Sequence, residues 1–195
     1  MIYAEVDQND LNLVLTKLHG LEKAPNHLRN AINRTATQAQ KMLKDGQKAG
    51  YTLKARKFNS GIKLQRATAN HLNAVIRATG KPHTIQSFKT TYPKAGGKAD
   101  VTKSGLKKLK TSAGASFIPK GGKASGLMVT RRSKEKTPTV NGVHALKNIH
   151  VLHGPSVPKM VEKIYKGERG GQGDMKDKIQ ERLHDEILKE IAKIM

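Results

Sequence analysis

Three histidines lie close together in this sequence, His144, His150 and His153, and one short stretch, Gly121-Gly122-Lys123-Ala124, has the look of a phosphate loop. Neither carries its chemistry through. On an extended backbone His150 and His153 are an odd number of residues apart and face opposite sides. No Cys or carboxylate lies beside them to complete a metal site, so they read as structural or solvent-facing side chains. A nucleotide-binding loop needs Gly five residues before its Gly-Lys pair and Ser or Thr after it, where this chain has Phe117 and Ala124. No Gly-x-Ser-x-Gly or Ser/His/Asp pattern is present. Between residues 40 and 136 the acidic residues are Asp45, Asp100 and Glu135, so a carboxylate pair for acid–base work would need partners from the ends of the chain. The sequence therefore predicts no catalytic residues, no metal, no cofactor and no enzymatic role.

Basic side chains are the stronger signal. The chain of 195 residues carries 37 Lys+Arg against 15 Asp+Glu, a formal net charge of +22. Residues 40–136 hold 23 basic and 3 acidic residues, so +20 of that charge sits in the middle while both ends are near neutral. Three cationic loops are predicted there, the first two containing glycine: one with Lys103, Lys107, Lys108 and Lys110, one with Lys120 and Lys123, and one with Arg131 and Arg132. Point charges on such loops suit the phosphates of a nucleic acid or an acidic protein partner. Aromatic residues make up 4% of the chain, too few for a base-stacking platform, and zinc-finger spacing is absent. Contact with DNA is therefore expected at the backbone, independent of sequence. A basic ribosomal-protein-like role has the same composition.

The elements that must position these residues follow from periodicity. Leu11, Val14, Leu15 and Leu18 predict a short helix after Asp10. After Pro25, Leu28, Ile32, Ala36 (or Thr35), Ala39 and Leu43 predict a longer helix to about Lys48, closed by Gly46 and Gly50, with Arg29, Arg34, Lys41 and Lys44 mostly off the apolar stripe. A further helical turn is expected over 52–58. Ile62/Leu64 and Leu72/Ala74/Ile76 alternate with polar neighbours as two strands joined by a turn at 68–70. More short strands are expected at 84–89, 98–103, 115–118, 127–131 and 147–152. A helix from Lys159 to Lys166 and a glycine-rich hinge at 167–173 come next. Asp174 then caps a final helix with Met175, Ile179, Leu183, Ile187, Leu188, Ile191 and Ile194 as its apolar stripe.

The expected fold is α+β: N-terminal helices over 1–50, a central antiparallel β-sheet with long basic loops over 51–153, and C-terminal helices over 154–195, the last an amphipathic helix packed on the sheet. The expectation is one domain of 1–195, without a secretory leader or a membrane span. Zero Cys excludes a disulfide framework. The run Gly154-Pro155-Ser156-Val157-Pro158 is a stiff, extended joint, because each Pro fixes φ and biases the preceding residue away from helix. It serves either as a strand-to-helix turn or as a device setting the angle of the terminal helices at a subunit interface, with Gly154, Pro155, Ser156 and Pro158 as its residues.

The order of these segments resembles the phage minor tail protein Z family. Leu28-Arg29-Asn30-Ala31-Ile32-Asn33-Arg34-Thr35-Ala36 is similar to that family's "ALNRTA" helix opening, and Leu72-Asn73-Ala74-Val75-Ile76-Arg77-Ala78-Thr79-Gly80 with 85–88 to its paired strands. Gly114-Ala115-Ser116-Phe117-Ile118 and Gly126-Leu127-Met128-Val129-Thr130-Arg131-Arg132 look like its "GAFI … VFxR" hairpin. Val151-Leu152-His153-Gly154-Pro155-Ser156-Val157-Pro158-Lys159-Met160 is close to its "LYGPSVPQM". The resemblance covers about 25–195. Ser116 is an insertion relative to the pattern, His153 replaces an aromatic, and the lysine run at 103–110 is richer than the pattern. What the resemblance implies is a structural virion protein of a long-tailed phage. Such a protein completes the head-proximal end of the tail for head–tail joining, as a ring, expected to be hexameric, that touches other tail and neck proteins and the DNA. The alternative reading is a cytoplasmic nucleic-acid-binding protein outside any virion.

Overall fold

The computed structural model describes residues 2–4, 24–93, 96–111, 114–119, 126–131, 139–140, 143–144, 149–171 and 173–193. The helix expected after Asp10 lies outside them. The chain is mixed α+β and divides into two compact units. One comprises Met1–Ala49, Ala55–Gly80 and Val157–Met195, and the other Gly50–Lys54 and Lys81–Ser156. No helix among the described residues is long and apolar enough to cross a membrane.

In the first unit, helix α1 (Ala24–Gly50) forms where the apolar stripe predicts it. Leu28, Ile32, Ala36, Ala39 and Leu43 are all buried, and Pro25 sits in the first turn, where its missing N–H leaves no bond unmade. Helix α2 (Ala55–Asn59) buries Phe58. Strands β2 (Ile62–Gln65) and β3 (Ala74–Ala78) pair antiparallel with Leu64 opposite Ile76. An unforeseen strand, β1 (Ile2–Ala4), pairs on the other side of β3, with Tyr3 opposite Val75. The order β1-β3-β2 makes β3 central, and Ala74, Val75 and Ile76 are all buried instead of alternating.

Helices α3 (Val157–Tyr165) and α4 (Met175–Ile191) complete this unit. The Asp174 side chain caps α4 by accepting from the Lys176 N–H at 2.9 Å, as expected. Leu183, Ile187 and Ile191 of α4 join Leu28, Ala31, Ile32 and Ala36 of α1, with Ala67 and Ala74, in one apolar cluster. Leu188, expected on the buried stripe, is instead 42% exposed, and its neighbours Glu186 and Glu190 turn inward. Ile194 lies outside the described residues. Gly46 is not a stop signal but a buried helix residue. The backbone of Gly170, at φ +86°, lies so close that a side chain there would meet the Gly46 Cα at 2.7 Å.

The second unit is built from short antiparallel pairs. Strands β4 (Lys89–Thr91), β5 (Lys98–Asp100) and β6 (Lys107–Lys108) form a three-stranded meander, and β7 (Lys110–Thr111) pairs with β8 (Gly114–Ala115). Strand β9 (Val129–Arg131) pairs with β12 (Ile149–Val151), and β10 (Thr139–Val140) with β11 (Val143–His144). The strand expected at 84–89 begins instead as a 3-10 turn, Ile85–Ser87, because Ser87 N–H donates back to Thr84 O and Phe88 N–H to Ile85 O. Met128 and Val129 are fully buried. Ser116 is buried, and its hydroxyl accepts the Gly97 N–H at 3.0 Å, where Gly97 passes too close to Met128 to carry a side chain.

Candidate polyanion interface

Three of the four lysines in the run at 103–110 lie in strands. Lys103 remains in a bend at φ +53°, but Lys107 and Lys108 lie on β6 and Lys110 on β7. The reason is pairing that spacing along the chain does not reveal: Lys107 lies opposite Ala99, Lys108 opposite Lys98, and Lys110 opposite Ala115. All four lysines of the run are exposed. In an antiparallel pair, residues opposite each other share a face, so Lys98 and Lys108 stand side by side, with Lys89 further along the same face beside Asp100. Like charges placed opposite each other disfavour the sheet unless an anion lies over them. Arg131 lies on β9, while Lys120, Lys123 and Arg132 lie outside the described residues.

The Gly154-Pro155-Ser156-Val157-Pro158 run splits between the two units, the chain leaving the second after Ser156. Gly154 is required where it stands: its N–H donates to His83 O at 2.8 Å, and a side chain there would run into the Phe88 ring. Pro155 and Ser156 are half-buried, and Pro158 occupies the first turn of α3, where proline is tolerated. His150 Nε2 lies 3.2 Å from the Thr130 hydroxyl, while His153 is exposed with its Nδ1 3.0 Å from Val151 O. The His144 side chain is not among those described. Among the described residues no group of three or more His, Cys, Asp or Glu is placed to hold a metal ion.

No protein-family model matches the chain, and no curated protein sequence or solved structure matches it either. Beside its motif order, the chain carries chemistry of its own.

That chemistry includes a second cationic feature. An open groove of about 650 Å3 in the first unit is lined by Arg29, Asn30, Asn33, Arg34, Thr37 and Gln38 of α1, by Arg66 after β2, and by Arg182 and Glu186 of α4. Arg34, expected only as an off-stripe cation, reaches across to both inward carboxylates, hydrogen-bonding Glu190 and lying 3.5 Å from Glu186. Arg182 holds Glu186 at 2.8 Å, and His27 and Lys193 hold Glu190 at 2.9 and 2.6 Å. Burial pushes the Glu190 carboxyl up, but hydrogen bonds from Lys193, His27 and Arg34 outweigh it and bring it down to about 2. Arg34's own contacts, its hydrogen bond to Glu190 first and then those with Glu186, raise its guanidinium above the usual value. One signal of the groove was readable in advance: Arg29, Asn33 and Thr37 recur every four residues, as do Asn30, Arg34 and Gln38, which makes a polar stripe on α1. The arrival of Arg66 and α4 against that stripe was not readable.

Proposed function

We propose that this chain is a structural protein of a long-tailed phage, acting at the head-proximal end of the tail to complete it for head–tail joining. The observation that carries this reading is the order of the motifs from Leu28 to Met160, ending in the Gly-Pro-Ser-Val-Pro run. In this proposal the chain works as a homo-oligomeric ring, expected to be hexameric, among other tail and neck proteins in the virion, and catalyses nothing. The exposed Lys103, Lys107, Lys108 and Lys110, with Arg131 and the outlying Lys120, Lys123 and Arg132, supply positive charge toward DNA or an acidic neighbour. The adjacent Lys98 and Lys108 support this, since their mutual repulsion is relieved by a polyanion. Gly154, Pro155, Ser156 and Pro158 then set how the terminal helices meet the next subunit.

The test is deletion of the coding segment from the phage genome that carries it. The expected product is unjoined heads and tails, with infectivity restored by the gene in trans. Normal joined particles, or particles lacking this chain, would overturn the proposal. The paired lysines equally suit a second reading, a sequence-independent nucleic-acid-binding protein of the cytoplasm. That protein would bind duplex as an isolated monomer and be missing from purified virions.

A further inference from the structure

We infer that the arginine groove of the first unit is a second, separate binding site whose ligand is the phosphate backbone of a nucleic acid. The inference does not depend on the tail reading and involves none of the lysines placed in that proposal. Its four guanidiniums are unequal. Arg34 and Arg182 are occupied by Glu186 and Glu190. Arg29 and Arg66 form no ion pair among the described residues, and Arg29 donates only to the neighbouring Asn30 at 3.1 Å. The buried carboxylates thus hold two arginines in place as the wall of the groove, while two forks remain for a ligand.

The character of that ligand follows from the lining. Guanidinium forks match the planar, paired oxygens of phosphates and carboxylates. Asn33 has both its amide groups engaged with Ala67, and the Thr37 hydroxyl donates to Asn33 O at 2.7 Å. Gln38 is exposed at the edge. None of the lining residues is apolar or aromatic. Stacked bases need an aromatic face, which this groove does not provide, so the contact is with charge and not with bases. The groove, at about 650 Å3 and open to solvent, is several times the size of one phosphate group. A run of backbone phosphates fills it better than a single ion does.

The experiment uses the full chain and a labelled DNA duplex of random sequence, with affinity measured against salt concentration. Arg29→Gln/Arg66→Gln is expected to weaken binding and to reduce the slope of log affinity against log salt by about 2, roughly 1 per lost phosphate contact. Gln38→Glu, which puts a negative charge at the groove without touching an arginine, is expected to weaken binding as well. It carries the test if the double variant does not fold. Unchanged affinity and slope in the folded variants overturns the inference. Poly-glutamate bound by the native chain but not by the arginine variant, with duplex binding equal in both, overturns it in favour of an acidic protein partner. Inorganic phosphate displacing the duplex at matched phosphate concentration overturns it in favour of a free ion.

Discussion

Asn33 holds Ala67 by both ends of its side-chain amide: Oδ1 accepts the Ala67 N–H at 2.8 Å and Nδ2 donates to the Ala67 carbonyl at 3.0 Å. One side chain on α1 thereby does what a neighbouring strand would do for the backbone leaving β2. It also fixes the position of Arg66, the next residue back, at the mouth of the groove. Asn33→Ala leaves a part-buried donor and acceptor unmet. The expected loss is about 1–3 kcal/mol in urea unfolding, with weakened duplex binding as Arg66 drifts.

Gly170 and Gly171 are adjacent, both at positive φ (+86° and +66°), yet their surroundings differ. A side chain at Gly170 meets the Gly46 backbone, whereas nothing lies within 4 Å of the Cβ position at Gly171. Gly171→Ala should bear only the left-handed backbone penalty of about 1–2 kcal/mol. Gly170→Ala should add overpacking of about 1–3 kcal/mol to that. Equal melting temperatures for the two variants would show that the contact with Gly46 is loose.

Glu190 gives the first unit an acid limit. Its carboxyl is held at about 2 in the folded chain, below its ordinary value of 4.5. The stabilisation is therefore fully present above pH 4.5 and is lost as pH falls from 4.5 through 2. Glu190→Gln is expected to be less stable than the native chain near pH 7 and to lose less on acidification across that window. Parallel pH profiles for the two proteins, followed by circular dichroism, would contradict the assignment.

Ser116→Ala removes the hydroxyl that accepts the buried Gly97 N–H. A buried donor left without its partner costs about 1–3 kcal/mol, so chemical denaturation should register the change. Ser116→Gly should be no better, because the loss is of the hydroxyl rather than of volume.

Lys98 and Lys108 carry the opposite expectation. Removing one of two like charges placed opposite each other should stabilise the free protein by about 0.2–1 kcal/mol. The same Lys108→Gln change should lower the salt slope of duplex binding by about 1. Extending it to Lys107 and Lys110 should weaken DNA retention or head joining more than it changes the melting temperature. A gain in stability with no change in any binding step would mark this face as merely solvated.

Local pattern was enough for the elements whose signals lie within one turn or one hairpin. Leu28, Ile32, Ala36, Ala39 and Leu43 predicted α1, Ile62 and Leu64 predicted β2, and Asp174 predicted the start of α4, because side-chain spacing and capping act over a few residues. The concentration of charge between residues 40 and 136 was equally plain. Tertiary structure decided the rest. Lys107 and Lys108 became strand because Ala99 and Lys98, across an intervening loop, pair with them. Glu186 and Glu190 turned inward, leaving Leu188 outside, because Arg34, in a helix 156 residues away from Glu190, was there to meet them. Hydrogen bonds and ion pairs of that kind depend on which segments the fold brings within about 3 Å, and no periodicity along a single segment encodes that distance.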